Sequence, residues 1–401
     1  MKEELNPLFT VSIVTYQQRH LLEECLSSVF CQDYNNIELV LCDDCSCDFD
    51  IEEITEYINN NKSENIRKVS VYKQPDSVGT VKNCQKAFEL SNGEFLKLHA
   101  GDDLLNDPGV ISAVYKEFQK KNREGKRTNI IFSRAVAITH DGTLTQDYYP
   151  NYDAFTAASN CNAEELFSLI GTRCCGVFVN APAVFWRREL LEDIGGFSLE
   201  YKYTEDWPTW LILCKNGELP YYFNRITVKY RYGGISNAQP EQAKYIEAQH
   251  YYESARILRE ISFPHLIEKG EKWNALYAMQ AAKSLEERAC MEFEWSGWNT
   301  FDKFIWRIKN IRYYSVTILI RAKLGIVHFP VKKALKVDAL LGALLCFNID
   351  SIPFGNDTVV ISWFLLVSLL ATALMVISNF ASWYVSIGGR VSLDKYLKKG
   401  F

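Results

Sequence analysis

The sequence predicts an α/β protein with a mostly parallel sheet in its first half, followed by a largely helical region. Apolar runs of strand length alternate with stretches of helical periodicity over the first hundred residues, which is typical of parallel sheets. After residue 130 the pattern becomes mixed. Between Pro240 and Trp295 the chain reads as helical, with few turn residues.

The individual elements can be assigned in chain order. Strands are predicted at Phe9–Thr15, Ile37–Cys42, Val69–Tyr72, Glu94–His99, Ile130–Ile138, Ala183–Arg187 and Tyr221–Tyr230. Helices are predicted at Arg19–Phe30, Gly79–Leu90 and Glu205–Lys215, from apolar residues three or four positions apart. Acidic turns follow the second and fourth strands. Ligands bind at the carboxyl ends of such strands, so the two turns are expected to share one cleft.

The composition is that of an ordinary globular protein. The 401 residues carry 44 Lys and Arg against 49 Asp and Glu, and 48% are apolar, which excludes a disordered or collagen-like chain. The net charge of −5 argues against a nucleic-acid partner, because such proteins need a basic field. Met1–Thr10 does not read as a signal peptide, so the twelve cysteines are expected to be reduced thiols. Cys42, Cys45 and Cys47 lack a second Cys/His pair at zinc-ligand spacing.

The last hundred residues combine a basic stretch with a long apolar run. Residues 301–337 hold nine Lys or Arg and one acid, which is typical of a segment at a membrane surface. Val359–Ile387 has no charged residue and is long enough to cross a bilayer, with Trp363 and Trp383 at its ends. A shorter apolar stretch, Ala339–Ile349, precedes it. The sequence therefore predicts either a hairpin with both basic flanks cytoplasmic or a single span with an interfacial piece.

These patterns divide the chain into five predicted parts. An α/β domain covers residues 1–239, and a helical extension covers 240–300. A basic amphipathic membrane-surface segment (301–337) is followed by the transmembrane hairpin or single span (338–389) and a basic cytoplasmic tail (390–401).

Two pairs of carboxylates follow predicted strands. Asp43-Asp44 could accept hydrogen bonds from a base or ribose or hold a cation; the alternative is a solvated loop or a helix cap. Asp102-Asp103, after Gly101, suits a hard cation such as Mg²⁺ or Mn²⁺ together with a ribose hydroxyl. The alternative there is an acidic turn in which Asp103 caps the next helix.

A third pair, Glu205-Asp206, opens a helix that carries Trp207 and Trp210. A carboxylate at this position could serve as a general base, or it could complement the helix dipole from the first turn. The two tryptophans could offer their aromatic faces to a ligand, and helix packing is the alternative, favoured for Trp210.

Taken together, the three pairs and their surroundings resemble a family 2 glycosyltransferase of the GT-A fold. The resemblance covers residues 8–104 most clearly, and the order and spacing match over roughly the first 235 residues. The matching stretches are VSIVTY, LLEECLSSVFCQDY, IELVLCDDCSCD, SVGTVKNCQKAF, SNGEFLKLHAGDD and YTEDW. Residues 1–239 would then form a GT-A glycosyltransferase domain.

The resemblance implies that several residues bind the nucleotide-sugar donor. Thr15 and Tyr16 would contact the nucleotide base together with Asp44, and Asp102 would contact the ribose. Lys82 stands where the family often has an arginine near the donor.

The resemblance also implies a metal, a base and an acceptor side. Asp103 would bind a divalent cation, Mn²⁺ or Mg²⁺, and Asp206 would be the catalytic base of an inverting transfer. Glu205 and Trp207 are candidates for acceptor binding.

The sequence departs from the family pattern in three places. The turn Ala100-Gly101-Asp102-Asp103 lacks its first carboxylate, and Cys45 replaces a common glycine. The stretch YRYGG at 230–234 lacks the late metal-binding histidine. No Gln-x-x-Arg-Trp stretch follows Asp206, which argues against a processive synthase.

The expected function is therefore a hexosyltransferase-type enzyme of cell-surface polysaccharide synthesis. It would move a sugar from a nucleotide-sugar donor, with UDP as the expected nucleotide, to a saccharide or lipid-linked saccharide. The expected location is the bacterial inner (cytoplasmic) membrane, with the catalytic domain on the cytoplasmic side. One alternative is a nucleotidyltransferase or sugar-nucleotide oxidoreductase, although no G-x-G-x-x-G stretch follows the first strand. The other is a catalytically impaired, membrane-tethered scaffold.

Overall fold

The computed structural model describes residues 6–172, 181–232 and 240–294, and its sheet begins with four parallel strands. They are β1 (Phe9–Thr15), β2 (Ile37–Asp43), β3 (Ile66–Lys73) and β4 (Phe95–Ala100), in the spatial order β3-β2-β1-β4. Val14 of β1 lies opposite Cys42 on one side and Ala100 on the other. The carboxyl ends of β1, β2 and β4 therefore form one continuous edge, as predicted.

The second half of the sheet is mixed rather than mostly parallel. Its strands are β5 (Leu104–Leu105), β6 (Ile130–Ile138), β7 (Leu144–Tyr149), β8 (Val184–Arg187) and β9 (Tyr221–Arg231). The order continues β4-β8-β6-β9-β5, with β7 paired to β6. β8 runs antiparallel to both of its neighbours, and β9 is parallel to β6 but antiparallel to β5. A short turn joins β6 to β7, and only antiparallel strands can be connected in this way.

Helices cover both faces of this sheet. Their bounds are α1 (Arg19–Phe30), α2 (Ile51–Asn61), α3 (Thr80–Leu90), α4 (Val110–Arg123), α5 (Tyr152–Ser159), α6 (Ala163–Ile170), α7 (Arg188–Asp193), α8 (Asp206–Lys215), α9 (Pro240–Ile257), α10 (Phe263–Glu268) and α11 (Lys272–Glu294). A π-helical turn, Leu258–Ser262, joins α9 to α10. α2 is an addition to the predicted elements. Its N-terminal signal is Asp50, which accepts hydrogen bonds from the N–H groups of Glu52 and Glu53.

Two hydrophobic cores lie against the sheet. One includes Phe9, Val11 and Ile13 of β1 together with residues of α1, α2 and α4. The other joins α3, α5, α6 and α8 to buried residues of α9, α10 and α11. The C-terminal helices therefore share a core with the sheet. Trp210 belongs to the second core and stacks on Trp186 at 4.9 Å between ring centroids, so helix packing, the favoured interpretation of Trp210, is confirmed.

The predicted membrane-surface segment, transmembrane part and tail, residues 301–401, lie outside the described residues. Within the described ranges, no helix combines the length and the apolar character needed to cross a bilayer.

Candidate active site

Thr15 lies in the middle of the edge where β1, β2 and β4 end. Its carbonyl accepts a hydrogen bond from the N–H of Asp44 at 2.9 Å, on the β2 side. On the β4 side, a Cβ added to Gly101 would lie 2.8 Å from the Cβ of Thr15, so only glycine allows this approach. The two acidic turns therefore flank Thr15, with the half-buried Tyr16 next in the chain.

Asp43 shapes the first acidic turn. Its carboxylate accepts hydrogen bonds from the N–H and hydroxyl of Ser46, at 2.6 and 2.5 Å. Burial raises the pKa of Asp43, and these hydrogen bonds oppose the rise. Within the same turn Cys45 has a φ of 65°. Glycine adopts this left-handed conformation without strain, which explains why glycine suits the position.

The carboxylate of Asp44 holds the loop before α3. It accepts hydrogen bonds from the hydroxyl of Ser77 at 2.9 Å and from the N–H groups of Val78 and Gly79 at 2.7 and 3.0 Å. Asp44 is 5% exposed. Its predicted contact with a nucleotide base stays a prediction, and the structure shows that it also fixes this loop. Lys82 lies on the exposed side of α3, close to the same loop.

Asp103 is fully buried, and one oxygen of its carboxylate has no hydrogen-bond partner in the part of the chain that the structure describes. Its Oδ1 accepts a hydrogen bond from the N–H of Arg231 at 2.9 Å, whereas Oδ2 has no hydrogen-bond partner among the described residues. Burial, followed by the charge of Asp102, raises the pKa of Asp103 well above its usual range. Buried Lys97, whose own pKa burial lowers to about 7, opposes that rise by its charge.

A buried carboxylate oxygen that has no hydrogen-bond partner and lies beside a second carboxylate fits a divalent cation. The cation would bind the oxygen that is otherwise unpaired. The described residues contain no cluster of three or more His, Cys, Asp or Glu side chains that could hold a metal by themselves. Asp102 and Asp103 are thus the residues of this chain that fit the predicted cation, and further ligands would have to come from elsewhere.

Arg231 fixes the Asp102-Asp103 turn and was missed as a site residue by sequence reasoning. Its side chain is 1% exposed, and its Nε donates to the carbonyl of Asp102 at 2.9 Å. The remaining guanidinium nitrogens donate to the carbonyl of His140 and to Glu24 on α1, both at 2.6 Å. Its position directly after a predicted strand could have marked it as a candidate, but the sequence does not show which groups its side chain binds.

Glu205 and Asp206 lie where α8 begins, and both are half-buried. The N–H of Trp207 donates to Asp206 at 2.6 Å. Trp207 is 5% exposed, and its indole N–H donates to the carbonyl of Ile170 at 2.7 Å. The ring is therefore packed in the core, and its burial does not support the predicted contact with an acceptor.

Burial and then the charges of nearby carboxylates raise the pKa values of two cysteines. Burial raises the pKa of the Cys84 thiol on α3, and the charge of Glu205, ahead of those of Asp206 and Asp44, raises it further. Hydrogen bonds agree with this placement. The carbonyl of Lys202, three residues before Glu205, accepts from the N–H of Val81 on α3, and Asp44 accepts from the N–H of Gly79. On α1, burial raises the pKa of Cys25, followed by the charges of the second pair. The third pair therefore follows a loop that lies beside the start of α3, where Asp44 also binds, and the first two pairs flank Thr15.

Glu205, at the start of α8, has a shifted pKa. Burial, followed by the charge of Asp206, raises the pKa of Glu205 to about 8. Glu205 is thus protonated at neutral pH, because two adjacent negative charges in a poorly solvated place repel each other.

Glu205→Gln is expected to change how stability depends on pH. The pKa of Glu205 is about 8 in the folded protein against an ordinary value of 4.5, so over this range the folded state keeps a proton that the unfolded chain releases. The stability of the wild type therefore falls as pH rises through that window. Glutamine stays neutral, so the melting temperature of the variant relative to the wild type should rise from about pH 4.5 to about 8 and then level off. Thermal melts across this range measure the difference, and a constant difference contradicts a protonated Glu205.

Comparison with known proteins identifies the domain that carries this site. Residues 10–148 match the family model for glycosyl transferase family 2. An uncharacterized glycosyltransferase of Haemophilus influenzae is 22% identical over 257 residues, which cover 61% of this chain and 74% of that protein. TuaG of Bacillus subtilis, a glycosyltransferase provisionally named for teichuronic acid biosynthesis, is 22% identical over 228 residues, covering 56% of this chain and 79% of TuaG.

Among solved structures, TarS of S. aureus (residues 1–349) in complex with UDP superposes with a TM-score of 0.45 and 18% identity, covering 79% of this chain and 91% of that one. The range that matches the family model includes the strands that carry the first two carboxylate pairs. Residues 10–148 therefore form a glycosyl transferase family 2 domain, and the glycosyltransferase relatives support a transferase enzyme.

Proposed function

We propose that this glycosyltransferase moves a sugar from a nucleotide-sugar donor to the hydroxyl group of a saccharide or lipid-linked saccharide, with inversion at the anomeric carbon. The observation that carries the proposal is the buried Oδ2 of Asp103, which lacks a partner among the described residues and lies at the sheet edge shared with Asp44. Such an edge can hold the diphosphate at one end and a proton acceptor at the other.

In the proposed reaction Asp206 takes the proton from the acceptor hydroxyl as its oxygen attacks the anomeric carbon. The bond from that carbon to the diphosphate oxygen breaks, and the diphosphate leaves with the electron pair. One displacement from the opposite face inverts the configuration. A divalent cation at Asp102 and Asp103 would neutralise the charge on the leaving diphosphate. Asp44 keeps the loop before α3 in place beside the donor.

We place the reaction in the synthesis of a cell-surface polysaccharide, at the cytoplasmic face of a bacterial inner membrane. The name of the TuaG relative, which refers to teichuronic acid biosynthesis, supports this class of product. The basic stretch at 301–337 and the apolar run after it support a lipid-linked acceptor, because both suit a chain held at a membrane.

A panel of UDP-, GDP- and dTDP-sugars tests the proposed donor class. The full-length chain is incubated with each donor and Mn²⁺, and nucleotide release is measured with and without a chelator. One donor should give release that stops when the cation is removed. Release by none of the donors, or release unaffected by the chelator, contradicts the proposed donor class or cation, respectively.

The same assay with a bacterial lipid extract tests the acceptor. Labelled sugar is expected to move into the lipid fraction in the presence of the extract. If the labelled sugar is transferred only to water-soluble saccharides, the lipid-linked acceptor is contradicted and the saccharide acceptor remains supported.

A further inference from the structure

Glu253, on α9, binds the loop that leads into the Glu205-Asp206 pair. Its side chain is buried, with 4% exposure. Oε1 accepts a hydrogen bond from the N–H of Lys202 at 2.7 Å, and Oε2 accepts from the N–H groups of Tyr203 and Thr204, both at 3.0 Å. One carboxylate therefore satisfies three consecutive backbone donors, and hydrogen bonds to an ionised acceptor are the stronger kind.

The other side of this loop contacts the start of α3. The carbonyl of Lys202 accepts a hydrogen bond from the N–H of Val81 at 3.0 Å. A Cβ added to Gly79 would lie 2.5 Å from the Cγ of Lys202 and 2.7 Å from its carbonyl oxygen. The loop is thus held between Glu253 and the segment that Asp44 fixes.

The position of Glu253 is itself fixed by packing. Ala255 and Ile257, on the same helix, are fully buried in the core that α9 shares with the sheet. Arg256 donates to the carbonyl of Glu200 at 3.0 Å, just before the loop. Movement of α9 relative to the loop would therefore disturb both core packing and hydrogen bonds.

We propose that Glu253 is a positioning residue for Asp206: it fixes residues 202–204 so that the base stands at the attacking hydroxyl. The inference rests on the proposed role of Asp206. The helical region after residue 240 thereby becomes part of the catalytic machinery. Removing the carboxylate leaves buried backbone donors without an acceptor, and the loop must move to find one. A displacement of about 1 Å at a reacting group is enough to lower turnover by about a hundredfold.

Glu253→Gln tests this, with Glu247→Gln as the matched control. Glu247 lies exposed on the same helix and accepts a hydrogen bond from the hydroxyl of Tyr251, so the control removes the same charge away from the loop. In the full-length chain, assayed on the donor that the panel identifies, Glu253→Gln should lower kcat by about ten- to a hundredfold. The Kd for that donor, measured by calorimetry with Mn²⁺, should stay within about twofold. Amide hydrogen exchange at residues 202–204 should become faster.

The double variant with Asp206→Asn separates positioning from other roles. If Glu253 acts through Asp206, the double variant turns over no more slowly than Asp206→Asn alone. Wild-type kcat and unchanged exchange in Glu253→Gln, with Asp206→Asn inactive, overturn the inference and leave the proposed function intact. Full activity of Asp206→Asn overturns both. If Glu253→Gln does not bind the donor stoichiometrically, Glu253→Asp is used in its place, because it keeps the charge on a shorter side chain. We expect the same loss of kcat at an unchanged donor Kd.

Discussion

Replacing Asp206 by asparagine is expected to abolish sugar transfer while leaving donor binding nearly intact. Asparagine has the same size and can still accept the hydrogen bond from the N–H of Trp207, but its amide cannot take a proton from the acceptor. Loss of a general base lowers turnover by about 10²- to 10⁴-fold. Steady-state nucleotide release gives kcat, and calorimetric titration with the donor gives Kd.

Asp153→Asn is the control for the competing explanation, in which Asp206 only complements a helix dipole. Asp153 is an exposed residue in the first turn of α5, so the substitution removes a charge from an equivalent helical position. A first-turn carboxylate stabilises a helix by about 0.3–1 kcal/mol, and this loss should leave turnover unchanged. If Asp206→Asn behaves like Asp153→Asn, Asp206 is not the base.

Arg231→Ala is expected to have the largest effect on stability, about 3 kcal/mol or more in the free energy of unfolding. The change removes a fully buried side chain that binds the carbonyls of Asp102 and His140 and the carboxylate of Glu24. Each buried carbonyl left without a donor adds a desolvation cost. Urea denaturation followed by circular dichroism measures the loss.

Arg225→Ala provides the matched control for Arg231. Arg225 pairs with Asp107 at 2.8 Å, but the two side chains are 34% and 36% exposed. Exposed ion pairs contribute about 0–1 kcal/mol, so this variant should unfold at nearly the wild-type urea concentration. Equal losses from the two substitutions would contradict the view that Arg231 holds the second acidic turn in place.

The sequence predicted the parallel half of the fold well, because its signals are local. In this half β1 and α1 have the predicted bounds, as β6 has in the mixed half, and the other predicted elements differ by a few residues at their ends. β1 and β2 are buried on both faces and read as nearly continuous apolar runs. The mixed half was harder, because a short strand such as β8 has the same pattern whether it pairs parallel or antiparallel to its neighbours.

The carboxylate pairs were identifiable for a similar reason: they directly follow strands or open a helix, and parallel strands bring their carboxyl ends to one edge. Their supporting residues were not identifiable. Glu253 lies about fifty positions after the loop it binds, and Arg231 lies more than a hundred positions after the turn it fixes. No periodicity or spacing links such residues, because their partners are backbone groups without a residue-specific signature.

By itself, the sequence determined the alternation of strands and helices and the three carboxylate pairs at their ends. Only the tertiary structure decided which carboxylates are structural, which have a free oxygen, and which side chains hold them. Asp43 and Asp44 are adjacent and chemically identical, yet one closes its own turn and the other binds a distant loop. The physical reason is that the acidity and hydrogen bonding of a carboxyl group depend on burial and on neighbours in space, which the folded chain alone brings together.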